Sequence, residues 1–165
     1  MADAFEAWRG FWSTAAGISA TLLGFLFLTI VLERKQSGTQ QRRDVFALAS
    51  QSLIAYAAVA IVGLLVQIPM SPRRVGAALA ALGFVLVIGC SWSIARAPKS
   101  GGSSLWAFSW TRVGPWIAYL VILWSGVKLA RGASRTVDFL GMAAFGLLIL
   151  AGAINLLLLR RAEPD

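Results

Sequence analysis

Hydrophobic and polar positions alternate along this chain in long blocks. Apolar runs fall at residues 11–32, 45–68, 75–95, 110–130 and 139–159, and each is separated from the next by a short stretch carrying charge, proline or glycine. A run of about 20 residues is the length at which an α-helix crosses the hydrocarbon of a bilayer. The blocks therefore predict five membrane spans in an all-α polytopic bundle. The spans use most of the chain, so residues 1–165 read as one integral membrane domain with no soluble domain.

The breaks between the blocks predict the connections. Pro69 and Pro72 punctuate a tight turn in IPMSPRR, and KSGGSS at 99–104 is a small flexible loop. Trp106, Phe108 and Trp110 follow it as an interfacial segment, and whether 105–112 enters the bilayer is open from sequence alone. Arg112 and Lys128 lie near the ends of the fourth span, where both side chains can snorkel. No proline falls in the middle of a span on these boundaries. Ser134, Thr136 and Asp138 precede the fifth span and suit a helix N-terminus. The first run is too long for a signal-peptide core and lacks a small-residue cleavage site, so it reads as a retained helix.

Composition sharpens this picture. Hydrophobic residues make up 58% of the 165 positions and charged ones 13%, about half the charged share of an ordinary soluble domain. The net charge of +8 would suggest nucleic acid in a soluble protein, but here the basic residues sit between apolar runs and read as topogenic charge. One basic residue precedes the first span and four follow it closely, Arg34, Lys35, Arg42 and Arg43. That contrast predicts an N-terminus outside, a C-terminus in the cytoplasm and residence in a bacterial inner membrane. No nucleic-acid partner is expected.

The chemistry that could reside in such a bundle is narrow. There is no histidine, which removes Ser/His dyads, His-ligated metals and imidazole relays. The single cysteine, Cys90, allows no intrachain disulfide and reads as a packing residue. Glu33, Asp44 and Asp138 all fall at span ends, so paired intramembrane carboxylates are not expected, and no phosphate-binding glycine motif occurs. The expectation is a non-enzyme with no cofactor and no metal.

Small residues recur at helical spacing. In the first span Ser13, Gly17, Ala20, Thr21 and Gly24 share one stripe, which is expected to face protein because small residues let membrane helices approach closely. The second span repeats the construction with Ser52, Tyr56, Ala60, Gly63 and Gln67, and the fifth with Gly141, Ala144, Leu148, Ala151, Gly152 and Asn155. A thinner version in the third span has Gly76, Ala80, Gly83 and Cys90. The packing candidates are thus Gly17, Ala20, Gly24, Gly63, Gly83, Gly141 and Gly152. The intramembrane polar candidates are Ser13, Thr21, Ser52, Tyr56, Gln67 and Asn155, either as interhelical glue or as a pathway or ligand cradle. Trp124 lies deep in its span and is expected between helices.

Several segments carry a resemblance. ISATLLGFLFLTIVLE at 18–33, LVQIP at the end of the second span, GAALAALG after it and Ile154-Asn155 near the end of the fifth resemble a group of small bacterial integral membrane proteins. Some members of that group are labelled modulators of a membrane-anchored ATP-dependent protease. Ala20, Leu22, Gly24 and Phe27 match the group's first-span motif, and Asn155 matches a recurrent asparagine. This chain ends its last span in LLLLRR, where the group has a further tryptophan and a glutamate. The resemblance implies a multi-span helical protein without assigned chemistry.

Three functional readings follow. The first is association with itself or with a membrane partner through the small-residue faces. The second is a small oligomeric ion channel, biased towards anions by Arg73, Arg74, Arg131 and Arg135. The third is a lipid or hydrophobic-ligand binder with its mouth at Trp106 and Trp110.

Overall fold

The computed structural model describes residues 2–33, 39–95, 105–133 and 136–162, with side chains described over 8–28, 49–93, 95, 113–133 and 136–156. Among the described residues the chain is all-helical: α1 (Ala2–Glu33), α2 (Thr39–Gln67), α3 (Pro72–Ala95), α4 (Leu105–Ala130) and α5 (Thr136–Ala162). Each contains a stretch long and apolar enough to cross a membrane: Trp8–Leu28, Ala49–Gln67, Pro72–Ser93, Val113–Ala130 and Thr136–Leu156. Helices suit such segments because they satisfy every internal backbone donor and acceptor without water.

The helix ends follow local chemistry. Pro72 opens α3 at a position that needs no backbone donor, and the Ser71 carbonyl accepts from the Arg74 and Val75 amides at 2.9 and 3.2 Å. At the end of α4, Gly132 takes φ +93°. Its amide donates to the Leu129 carbonyl and the Ala133 amide to that of Lys128, at 2.9 and 3.0 Å, which closes the helix with the left-handed cap that glycine favours. Thr136 begins α5 and its hydroxyl donates to the Ala133 carbonyl at 2.8 Å. Ser134, the 99–104 loop and the side chains of Trp106, Phe108, Trp110 and Arg112 lie outside the described residues.

Two expected features of the fourth span change. The helix starts at Leu105 rather than 110, so 105–112 is helical backbone continuous with the span. Consequently Pro115 is well inside a helix, with a buried side chain. Proline there removes one amide donor, a loss that neighbouring helices make tolerable in membrane segments.

Packing follows seams spaced alternately by three and four residues. On α1 the inward positions are Trp8, Trp12, Ala15, Ser19, Leu22 and Leu26; on α5 they are Val137, Leu140, Ala144, Leu147, Ala151 and Ile154. This is the spacing that keeps one helical face towards its neighbours. α1 pairs with α2 and α3 with α4, giving two hairpins, and α5 lies between α2 and α4. Although α2 and α3 are joined by a short turn, they touch little. Phe84, Val85, Ile88 and Trp92 leave the outer face of α3 apolar and exposed.

Candidate functional site

The polar positions separate into two sets by where their hydrogen bonds go. Thr21, on the exposed side of α1, donates its hydroxyl to the Gly17 carbonyl one turn earlier at 3.0 Å. Gln67, also exposed, donates its amide to the Gly63 carbonyl at 3.0 Å. Ser91 does the same to Val87 at 2.7 Å, and its oxygen also accepts from the Trp116 indole at 3.1 Å. Side chains that bond their own helix need no partner when they face hydrocarbon. Among the described residues the Gln67 amide therefore joins no second helix of this chain.

The second set points inwards. Asn155 of α5 donates its Nδ2 to the Tyr56 hydroxyl of α2 at 3.0 Å, joining two sequence candidates that are 99 residues apart. Tyr56 is 2% exposed and is held by the α2 seam that also buries Ser52 and Val59. The Asn155 Oδ1, the Ser52 hydroxyl, the Ser19 hydroxyl and the Trp12 indole nitrogen are all buried, with no hydrogen-bond partner among the described residues. The Ser125 hydroxyl of α4 is in the same condition. Ser19 and Ser125 were missed as polar sites because neither falls on the small-residue stripes that gave Ser13 and Ser52, and Trp12 because tryptophan near a span end is ordinary. The signal that could have found Ser19 is its place on the Trp8–Trp12–Ala15–Leu22–Leu26 face.

A further link closes one end of the bundle. Trp8 donates its indole N–H to the Asp138 carboxylate at 2.9 Å, tying the start of α1 to the first turn of α5. The Trp8 ring lies over Gly141, where an added Cβ would meet ring carbon at 2.7 Å. Gly141 thus packs as expected, because a flat ring can rest on a backbone that carries no side chain.

The other glycines divide sharply. A Cβ on Gly63 would lie 2.9 Å from the Ala16 Cβ and 3.0 Å from the Trp12 carbonyl oxygen. One on Gly83 would lie 2.6 Å from the Leu123 backbone nitrogen. Gly76 and Gly126 are reciprocal: each would place a Cβ on the other's carbonyl oxygen, at 2.8 and 2.9 Å. α3 and α4 therefore meet backbone to backbone. Gly126 is not among the sequence candidates, although Gly114, Ala118, Gly126 and Ala130 recur at multiples of four along α4.

The first-span stripe is on the other side from the one expected within this chain. Ser13, Gly17, Ala20, Thr21 and Gly24 are all exposed, and nothing among the described residues lies within 4 Å of a Cβ placed on Gly17 or Gly24. Close approach between α1 and α2 is supplied by Gly63 against Ala16. One glycine is enough for that contact, so the seam with the larger side chains fills the space towards α2 and α5. Gly152 is half-buried but likewise has nothing within 4 Å. Trp124 is 47% exposed rather than buried between helices. It meets Phe139 edge-on at 5.7 Å, with the Lys128 Nζ 5.6 Å from its ring centre.

The inward set consists of neutral hydrogen-bonding groups: an amide, a phenol, hydroxyls and an indole. Such groups can join helices or hold a small polar guest. No family model, no curated protein and no solved structure matches the chain.

Proposed function

We propose that this is a non-enzymatic protein of the bacterial cytoplasmic membrane, N-terminus outside and C-terminus inside, that acts by associating with a second copy of itself through the outer face of α1. The observation that carries the reading is the exposed stripe of Ser13, Gly17, Ala20, Thr21 and Gly24, lying across the helix from the packed seam. Small residues bring helix backbones close enough for dispersion contacts, which is the force available between helices in lipid. The Thr21 hydroxyl, bonded to its own helix, adds no desolvation cost to such a contact. The charge contrast across α1 supports the orientation. A membrane partner with a similar small-residue helix would meet the same face.

Disulfide scanning along α1 tests this in membranes, in a Cys90→Ala background. Gly17→Cys, Ala20→Cys and Gly24→Cys are expected to cross-link pairs of chains, whereas Ile18→Cys and Phe25→Cys, exposed on a different side, are not. Adding Gly17→Ile to the Ala20→Cys variant should abolish its cross-link. A folded protein that stays monomeric in bilayers, with no helical period in the cross-links, would rule out self-association through α1.

A further inference from the structure

We propose that the junction of α1, α2 and α5 is a binding site for water, held as part of the fold by Ser19, Ser52 and Asn155. Helix register places these groups at successive levels along one seam. α1 and α2 run antiparallel with Gly63 against Ala16 and the Trp12 carbonyl. Seven residues on from Trp12 is Ser19, and seven back from Gly63 is Tyr56. At about 1.5 Å per residue the two advance equally, so Ser19 stands within roughly one turn of the level of Tyr56. Asn155 reaches that level through its bond to the Tyr56 hydroxyl, and Ser52 is on the same face of α2 one turn beyond Tyr56, so the two serines stand one to two turns, about 6–12 Å, apart along the axis.

Three helices thus set three polar atoms with no partner among the described residues along one seam, spaced so that more than one water is needed to serve them: the Ser19 hydroxyl, the Ser52 hydroxyl and Asn155 Oδ1. Both serines are 0% exposed. Hydroxyls on these helices can satisfy themselves, as Thr21 and Ser91 do on the carbonyl one turn earlier. The two buried serines do not, which leaves their hydrogen-bonding capacity available to the interior. A buried polar group without a partner is costly and rare, and ordered water is the usual remedy, making about three bonds at a polar site. Ser19, Ser52, Asn155 and Tyr56 are all neutral side chains, and two hydroxyls that both donate and accept, beside an amide acceptor, match a guest of the same kind. Trp12 Nε1, two turns from Ser19 on the same seam, extends the polar line towards the Trp8–Asp138 end.

Magnetisation transfer from water, measured by solid-state NMR on the protein in lipid bilayers, tests the site directly. Ser19, Ser52 and Asn155 should receive magnetisation as early as exposed residues do, while Leu147 and Ala151, as buried as the two serines but apolar, lag behind. Signals from the three polar residues that lag with Leu147 and Ala151 would overturn the proposal. The sign of the serine-to-alanine effect is a second readout. If the hydroxyls bind water, Ser19→Ala and Ser52→Ala should lower Tm and slow transfer to Asn155; if they are merely desolvated, removal should raise Tm and leave transfer unchanged. Stabilisation by sodium but not by choline at equal ionic strength, lost in both variants, would place a cation there instead and overturn the water site.

Discussion

Asn155 and Gln67 are both primary amides in membrane helices, and their hydrogen bonds give them different weight. Asn155 bonds Tyr56 on another helix, whereas Gln67 bonds Gly63 on its own. Asn155→Leu and Tyr56→Phe should each destabilise the bundle by about 0.6–2 kcal/mol, the range for interhelical polar contacts in bilayers. Because the two share one bond, the double variant should cost less than the sum of the single ones. Gln67→Leu, which breaks no contact between helices, should stay within about 0.5 kcal/mol of the wild type. Reversible unfolding in bicelles measures all four variants; a Gln67→Leu loss as large as that of Asn155→Leu would contradict the assignment of the Gln67 bond. Polarity in an apolar run is visible in a sequence, but the direction of a hydrogen bond is not. That is why Tyr56 and Asn155 could be named in advance and their pairing could not.

At the scale of the helices, the glycines decide which elements lock together. The contact between α3 and α4 rests on Gly76, Gly83 and Gly126, whose missing side chains let backbone meet backbone. Gly83→Ala and Gly126→Ala should each cost about 1–3 kcal/mol by overpacking. Gly146 is exposed, within a helix, and has nothing within 4 Å of an added Cβ. Gly146→Ala should therefore be stabilising by about 0.4–1 kcal/mol through the restricted unfolded chain. Thermal unfolding in one detergent compares the three, and a stabilising Gly126→Ala would refute the backbone contact. Of the glycines in the small-residue pattern, Gly63, Gly83 and Gly141 lie against neighbours, whereas Gly17, Gly24 and Gly152 have nothing described within 4 Å of an added Cβ. A stripe shows that a face can be approached closely, and the shape of the neighbouring helices determines whether it is.

For the molecule as a whole, α5 is the element that unites the two hairpins, through its α2 and α4 faces and the Trp8–Asp138 link to α1. α3 is at the edge, packed chiefly on α4. This arrangement predicts which tryptophans meet lipid. In single-tryptophan variants reconstituted with brominated lipid, Trp92 and Trp124 should be quenched strongly, since they are 60% and 47% exposed, and Trp12 should be protected at 0%. Strong quenching of Trp12 would mean that α1 does not bury its tryptophan against α2 and α5. The protection of Trp12 should persist whether or not chains associate through α1, because its face is opposite the proposed contact.

The five helices were determined by the sequence itself. Apolar length and the expense of unpaired backbone groups in hydrocarbon act locally, so each span can be read from its own residues. The inward alignment of the Trp8–Trp12–Ala15–Ser19 seam, the crossing at Gly76 and Gly126, and the outward turn of Gly17 and Gly24 were decided only in the tertiary structure. In lipid all apolar faces are solvated almost equally well, so hydrophobicity does not choose between them. The choice falls to shape, and shape is a property of two surfaces that the chain brings together from distant positions.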